Sequence, residues 1–288
     1  MVIRYSDAFP RQADFPVMKK QLSCLLITYF SLIVPVHAAP ADFSWQLGLG
    51  LGINHSYNLI RDFDNEQNKK PQLQIMFVLE YKNLFMETPG LRAGRLVDDA
   101  TLGYRLHRND QHEFSLIAAS YHDAFGPTVG AAEGIRTRTL EGLHDRDDDL
   151  VLGFRYQYQA TDKQLLSLNW GRDLRTHEGG VASALYGVRF EQGNWDIYLN
   201  SELKWYSEAL VDYYYGVTSA ESRADRPVYK ARQGWRWHSG VVGVYPLSTR
   251  WIFETGVGGN WYSSSFSDSP LTRGNKELVS FGMVRYLF

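Results

Sequence analysis

The sequence predicts an all-β protein, a transmembrane antiparallel β-barrel of the outer-membrane type that begins near residue 43. Three observations support this fold class. Apolar and polar residues alternate over long segments, large aromatic residues recur ten positions apart, and short polar turns alternate with longer polar connections. After residue 43, no stretch is apolar and free of charge for long enough to cross a membrane as a helix.

The alternation has a period of two residues, which is the period of a β-strand. The segment FSWQLGLGLGIN places its large apolar side chains on one face and serine, glutamine, asparagine and glycine on the other. The segments DLVLGFRYQYQ and NWDIYLNSELKW repeat the pattern, whereas helical spacing is found nowhere over a comparable length. A soluble sandwich or a lipocalin-like barrel would show the same alternation, so the pattern alone does not indicate a membrane.

The spacing of aromatic residues favours a membrane barrel over a soluble one. Three successive predicted strands each carry two aromatic residues ten positions apart, namely Trp195 with Trp205, Trp235 with Tyr245, and Trp251 with Trp261. Ten residues of a strand tilted by roughly 40° rise about 25 Å, the height of the lipid-facing band of an outer-membrane barrel. The segments are also longer than the roughly five or six residues usual in globular proteins.

Twelve strands are predicted, at 43–54, 72–81, 83–93, 97–107, 112–121, 149–159, 163–172, 181–191, 194–206, 234–245, 249–262 and 276–288. The third and fourth segments are the least regular, so a barrel of ten strands stays open as an alternative. Longer polar stretches alternate with short turns, as extracellular loops alternate with periplasmic turns, and they lie at 55–71, 122–148, 173–180, 206–233 and 263–275. An even number of strands places both chain termini on the periplasmic side.

The first 38 residues are predicted to be missing from the mature protein. Two lysines precede the apolar run LLITYFSLIVPV, and a small-x-small cleavage site ends at Ala38, as in a secretory signal peptide. Cys24, the only cysteine, lies within this signal, so disulfides and cysteine-bound metals are excluded from the barrel. The predicted regions are an upstream extension at 1–17, which makes Met18 rather than Met1 the start, a signal peptide at 18–38 and the barrel at 39–288.

Two His-Ser pairs are candidates for a hydrolase site. Neighbouring residues of a strand point to opposite faces, so His238 is expected in the lumen and Ser239 on the lipid side, which prevents a dyad. His55, followed by Ser56, is expected in a connection just past the first strand. The sequence therefore predicts a protein that is not an enzyme, with no catalytic residue.

Two further segments raise the question of a ligand. LHDRDDD at 143–149 is either a divalent-cation or protease site or, as we favour, a solvated rim with cations bridging to lipopolysaccharide. DYYYG at 212–216 could stack on a sugar, although packing against the barrel rim is favoured. No phosphate loop or metal-binding histidine pair is present, so we predict no cofactor-binding residue and no metal site.

The predicted lumen contains charges of both signs. Mixed charges in a barrel between the filled eight-strand size and the open sixteen-strand size favour pairing across a narrow or occluded lumen over a general porin. The residues expected to face the lumen are Arg105, Arg155, Lys204, Arg236, Asp196, Glu202, Glu254 and His238.

VDYYYGVTSAESRADRPVYKARQGW, the tripeptide SPL at 269–271 and the ending FGMVRYLF resemble the MltA-interacting protein (MipA)/OmpV family. LEGLHDRDDD resembles the same family's mid-chain segment, and the resemblance is strongest from about residue 205 onward. It implies an outer-membrane barrel without known catalysis. The family's namesake is a scaffold that links a lytic transglycosylase to a penicillin-binding murein synthase. A scaffold is therefore the first expectation, with a narrow channel or a surface adhesin as alternatives.

Other expected partners follow from the predicted location. Outer-membrane lipid and lipopolysaccharide would surround the barrel. Phe288 at the end of the chain, with Tyr286 on the same face, resembles the signal that the barrel-assembly machinery recognises. The formal net charge of −2 indicates no binding of nucleic acid.

Overall fold

The computed structural model describes residues 42–56, 59–61, 71–88, 100–128 and 137–288. Within them, twelve antiparallel strands form one closed barrel, in which β12 pairs with β1. The strands are β1 Phe43–Ser56, β2 Gln72–Tyr81, β3 Leu84–Glu87, β4 Thr101–Arg108, β5 His112–Ala119, β6 Val151–Thr161, β7 Gln164–Asp173, β8 Gly180–Gln192, β9 Trp195–Tyr206, β10 Gly234–Pro246, β11 Trp251–Tyr262 and β12 Lys276–Leu287. The fold class and the count of twelve are confirmed, and ten strands is wrong. The predicted extension and signal peptide lie outside the described residues.

Side chains alternate between the outer wall and the lumen, as the period of two predicts. In β6, Leu152 and Phe154 are exposed on the outer wall, whereas Arg155 and Gln157 are buried in the lumen. A bilayer is the solvent for the outer wall, so exposed apolar side chains contact lipid there. The closed ladder meanwhile pairs the backbone polar groups that lipid could not satisfy.

β3 and β4 are shorter than the predicted segments 83–93 and 97–107. Residues 89–99, which belong to those segments, lie outside the described part of the chain. β3 begins after a two-residue hairpin turn in which Lys82 has a φ of 53°. Tight hairpin turns require such positive φ values because their twist matches that of the flanking strands.

The two ends of the barrel have different connections. At one end, which we call the turn end, strands are joined at 82–83, 109–111, 162–163, 193–194 and 247–250. The start of β1 and the end of β12 also lie there, because an even number of antiparallel strands returns the chain to its starting side. At the opposite end, the loop end, the connections are longer, so the predicted alternation is confirmed.

Aromatic side chains form a band near each end of the outer wall. Near the turn end, Trp195 packs against Tyr245 with ring centroids 5.1 Å apart. Near the loop end, Trp237 stacks on Trp261 at 4.7 Å. The paired bands, ten residues apart along the strands, are those of a protein that crosses a bilayer.

Candidate functional site

The connections at the loop end fold into a cap over the mouth of the barrel. The connection after β9 forms helix α1 (Glu208–Tyr215), and the connection after β11 forms the short helix α2 (Ser264–Ser267). In the described part of the chain, neither helix is long and apolar enough to cross a membrane. The name cap is used for residues 120–128, 137–150, 174–179, 207–233 and 263–275. Its apolar core joins α1 to strand ends and neighbouring connections through Leu59, Val151, Val181, Tyr206, Leu210, Val211, Tyr214, Ala231 and Phe266.

The tyrosines of DYYYG belong to this packing. Tyr214 is fully buried, and its hydroxyl donates to the carbonyl oxygen of Asp147 at 2.8 Å. The Tyr213 hydroxyl accepts from the backbone N–H of Asp147 at 3.0 Å, and Tyr215 packs against Phe266. Burial raises the pKa of Tyr214, so its phenol stays protonated. The favoured prediction, packing at the rim, is confirmed.

A buried carboxylate joins two connections of the cap. Glu221 accepts from the backbone N–H groups of Thr218 and His144, at 2.9 and 3.0 Å, and lies 2.9 Å from the guanidinium of Arg146. Burial would raise its pKa, but the hydrogen bonds from those backbone groups outweigh burial and lower the pKa to about 2. Arg226 then donates to the carbonyl oxygens of Glu221 and Thr139. The cap is therefore braced internally by a charge that remains ionised.

The acidic residues of LHDRDDD separate into two environments. Asp147 and Asp148 are exposed, and Asp148 pairs with Arg175 on the surface at 2.6 Å. The predicted solvated rim is correct for these two residues. Asp149 is different, because it is only 1% exposed and lies beneath α1. No group of three potential ligands that could hold a metal ion is found among the described residues.

Asp149 lies at the centre of a cluster of three connections. Its Oδ1 accepts from the hydroxyl of Ser120 at 3.1 Å and from the backbone N–H of Tyr121 at 2.6 Å. Its Oδ2 lies 3.5 Å from Nδ1 of His122 and 3.5 Å from Nε2 of His177. The ring of His122 stacks on Tyr214 of α1, with centroids 4.3 Å apart. The cluster thus joins the start of one connection, the middle of a second and the helix of a third.

The charge state of this cluster follows from its hydrogen bonds. The backbone N–H of Gly179 donates to Nδ1 of His177, so the ring proton lies on Nε2 and faces Asp149. That proton leaves no lone pair on Nε2 for a metal. Burial would raise the pKa of Asp149, but the two nearby imidazoles and the hydrogen bond from the backbone N–H of Tyr121 hold it well below its usual range. Burial lowers the pKa of His122 and outweighs Asp149, which would raise it, and the positive charges of Arg236 and Lys204 add to the lowering.

Below the cap, one side of the lumen is filled by a buried ion-pair network. Arg155, which is 2% exposed, donates to Glu87 at 2.6 Å and lies 3.7 Å from Glu113. Arg105 donates to Glu113 at 3.0 Å. The two guanidinium groups lie on the Phe85 ring, 4.7 and 4.8 Å from its centroid. Glu87 is on β3 and Arg155 on β6, so the network crosses two intervening strands and confirms the predicted pairing within the lumen.

The other side of the lumen contains further charges. Arg236 donates to Glu202 at 2.9 Å, and Lys204 lies 3.6 Å from the same carboxylate. Glu254 pairs with Arg285, which was not among the residues named from the sequence. Asp196 is half-buried nearer the turn end.

The two His-Ser pairs form no nucleophilic dyad. His238 is buried in the lumen, as predicted, and its Nδ1 lies 2.9 Å from Oδ1 of Asn260. Ser239 points to the outer wall and donates to the backbone carbonyl of Asn200. His55 lies inside β1, which extends two residues beyond its predicted end by pairing with β12, so its expected place in a connection is wrong.

Apolar side chains fill the lumen near the turn end. Met76, Ile252, Met283 and Leu287 form a buried cluster contributed by β2, β11 and β12. β1 passes between them with glycines facing inward, and a Cβ at Gly52 would overlap Met283. Where the wall is described, the lumen is therefore occupied by paired charges and apolar side chains.

The comparison with known protein families is decided by one match. The family described as MltA-interacting protein MipA matches residues 47–288, from within β1 to the end of β12. The chain belongs to the MipA family. The family resemblance drawn from the segments that follow β9 and precede β6 is thereby confirmed.

Relatives of this MipA-family chain include the outer membrane protein named YiaT of Escherichia coli (strain K12). It is 22% identical over 193 residues, which are 67% of this chain and 76% of that protein. Among solved structures, the NanC porin has a TM-score of 0.41 at 9% identity and covers 83% of this chain and 98% of its own. The KdgM porin has a TM-score of 0.37 at 9% identity, with 84% and 98% covered. The family, the named relative and the closed antiparallel barrel identify an outer-membrane β-barrel protein.

Proposed function

We propose that this MipA-family barrel is a non-enzymatic scaffold that links murein-synthesising and murein-degrading enzymes at the outer membrane. The filled lumen is the observation that carries the proposal. Arg155 and its carboxylate partners occupy the waist of the barrel, and the cap covers the loop end. A barrel whose described lumen is occupied by paired side chains would act through its surfaces. The family's description as MltA-interacting supports a lytic transglycosylase as one partner. A penicillin-binding murein synthase is the other partner in this proposal.

The proposed docking surface is the turn end, with both chain termini in the periplasm. Cleavage after Ala38 would leave the mature N-terminus only a few residues before β1, at this same end. Charged side chains, including Arg108, Lys163 and Arg250, are exposed there. The turns have few residues, so the docking surface is small and the N-terminal residues contribute to it.

Photo-crosslinking in the native envelope tests the scaffold. A photoreactive residue replaces Lys163 at the turn end in one variant and Lys230 in the cap in a matched control. Both lysines are exposed, and each lies near one carboxylate: Lys163 is 3.5 Å from Glu191, and Lys230 is 3.7 Å from Glu208. Position 163 is expected to capture a murein hydrolase or synthase, and position 230 is not. Equal capture from both positions, or none from 163 under conditions that capture known envelope complexes, would contradict the proposal.

A second candidate is a narrow channel that opens when the cap is protonated. The cluster of His122, Asp149 and His177 favours it, because it lies buried where three connections of the cap meet. A proton on His122 would be attracted by Asp149, but burial of the ring and the charges of Arg236 and Lys204 oppose it, so protonation would weaken the closed cap.

Planar-bilayer recordings at about pH 7.5 and about pH 5 distinguish the two candidates. A gated channel would show stepwise conductance at the lower pH in the wild-type protein and none in His122→Phe, whose ring can still stack on Tyr214. A membrane that stays silent at both values would exclude the channel and leave the scaffold unaffected.

A further inference from the structure

A recess of about 690 Å³ lies on the outer wall of the barrel, on the side that faces lipid. Its floor is a row of small residues on three neighbouring strands. Gly243 of β10 pairs with Thr255 of β11, which pairs with Gly282 of β12. Ile197 of β9 and Ile53 of β1 continue the row at its two ends and form the walls.

The floor of the recess is apolar and open. The hydroxyl of Thr255 donates to the backbone carbonyl of Phe281 at 2.9 Å, which leaves the threonine methyl group to line the recess. A Cβ added at Gly282 would meet no atom nearer than 4.0 Å. The absence of a side chain at Gly282 therefore leaves usable volume in the wall, between the bulky apolar side chains of Ile53 and Ile197.

Aromatic rings border the recess on the side of the turn end. The indole of Trp195 lies over Gly243, 3.0 Å from where a Cβ would stand. Trp195 also packs against Tyr245 and Phe253, with ring centroids 5.1 and 6.1 Å away. Aromatic residues of this kind mark the level of lipid headgroups, so the recess lies just inside the hydrocarbon region.

A cation lies below the recess at the turn end. Arg250 is exposed, and its guanidinium donates to the hydroxyl of Tyr286 at 2.9 Å. Tyr286 follows Gly282 by four residues on the same outward face of β12, a separation of about 13 Å along the strand. An apolar recess inside the hydrocarbon region is thus aligned with a guanidinium at the interface.

We propose that the recess binds an acyl chain of a glycerophospholipid from the leaflet at the turn end, with the lipid phosphate at Arg250. A guanidinium is the side-chain group best suited to a phosphate, because it donates two parallel hydrogen bonds. A flexible acyl chain can fill a concave apolar surface, whereas the convex wall of a second barrel cannot. The proposal does not depend on the scaffold or on the channel.

Native mass spectrometry of the purified full chain in detergent, titrated with palmitoyl-oleoyl phosphatidylglycerol, tests the recess. Gly282→Leu places a side chain in the open volume, and Ala184→Leu is the matched control on the outward face of β8. Because binding within detergent or lipid depends on packing rather than on water exclusion, we expect about fivefold weaker binding for Gly282→Leu. Ala184→Leu should bind as the wild type does. Equal binding by the two variants would overturn the proposal.

The phosphate contact is tested separately with Arg250→Gln, and Arg172→Gln at the loop end is the control. Arg172 is also exposed, with its nearest carboxylate, Glu178, 3.8 Å away. An exposed charge contact predicts about threefold weaker binding of phosphatidylglycerol for Arg250→Gln alone. Diacylglycerol with the same chains lacks the phosphate, so its binding should not change. An equal loss for both lipids, or no loss for either, would contradict a phosphate at Arg250.

A fluorescence measurement covers the case in which Gly282→Leu does not fold. In detergent, one bound lipid with brominated chains should quench Trp195 beside the recess and spare Trp170, an exposed tryptophan on β7. Quenching should therefore fall in Trp195→Phe and persist in Trp170→Phe. Loss of quenching only in Trp170→Phe would place the lipid elsewhere and refute the recess.

Discussion

Removing the Glu221 carboxylate is expected to open the cap while the barrel stays folded. Glu221 is 2% exposed and interacts with Thr218, His144 and Arg146. Deleting one partner of a buried ion pair costs about 3–5 kcal/mol, because the remaining charge loses its compensation. The cap can open and rehydrate Arg146, so we expect the lower end of this range, about 3 kcal/mol. That corresponds to a roughly 150-fold larger open population.

Limited trypsin digestion measures that population, since cleavage follows the open fraction when opening is fast. Arg223 is a cleavage site inside the cap, and its guanidinium donates to the carbonyl oxygens of Arg138 and Glu141 when the cap is closed. Glu221→Ala should therefore be cleaved roughly 150-fold faster than the wild type. Glu221→Gln should show a smaller increase, because its amide oxygen still accepts hydrogen bonds from the cap. Glu178→Gln removes a carboxylate on the surface and should leave the rate unchanged.

The barrel is monitored in the same samples by the shift between unboiled and boiled protein on a detergent gel. The shift should persist in every variant, because the strand ladders do not include Glu221. A cleavage rate for Glu221→Ala within about twofold of the wild type would show that Glu221 does not hold the cap closed. Loss of the gel shift in Glu221→Ala would show that the cap and the barrel unfold together, which would contradict the claim that the cap opens while the barrel stays folded.

Three further predictions follow from the cap, the lumen and the barrel seam. Acidification from about pH 7 to pH 5 should open the cap, since the lowered pKa of His122 means that the open state binds the proton. Hydrogen exchange, corrected for intrinsic rates, should show faster exchange of the cap amides at pH 5 in the wild type and a smaller increase in His122→Phe. The pKa of Asp149 is depressed, so the stability that its carboxylate contributes to the closed cap is lost only below about pH 4. Arg155→Met leaves buried carboxylates uncompensated and should lower the free energy of unfolding in urea by about 3–5 kcal/mol. Gly52→Ala should lower the temperature at which the gel shift is lost, because its Cβ overlaps β12, whereas Gly282→Ala should not.

The outer wall could be predicted from sequence because lipid imposes the same requirement on every strand. Each outward position needs only an apolar side chain, so the rule acts residue by residue and repeats with a period of two. This is why the faces of β6 and β9 and the pairs Trp195 with Trp205 and Trp251 with Trp261 were predicted correctly. The bounds of β3 were not predicted correctly, because a strand of four residues is too short to show a period of two.

The cap could not be predicted, because its contacts join residues distant in sequence. Asp148 and Asp149 are neighbours of identical chemistry, yet one pairs on the surface and the other is buried beneath α1. The difference comes from His122, at the opposite end of the same long connection, and from His177, on another connection. No local spacing relates these residues to Asp149, so no motif could have identified them.

The same distinction shows where a barrel of this kind encodes specific binding. A side chain in the lumen is constrained by its partners, as Arg155 is by Glu87 three strands away, and such pairing is needed merely to fill the interior. The outer wall has no such requirement, so bulky apolar residues would suffice at every position. Gly243, Thr255 and Gly282 depart from that rule side by side on three strands, although the sequence shows them only as separate small residues. Because these small side chains leave a recess, the wall there makes fewer van der Waals contacts with the surrounding lipid. An acyl chain bound in the recess would restore those contacts.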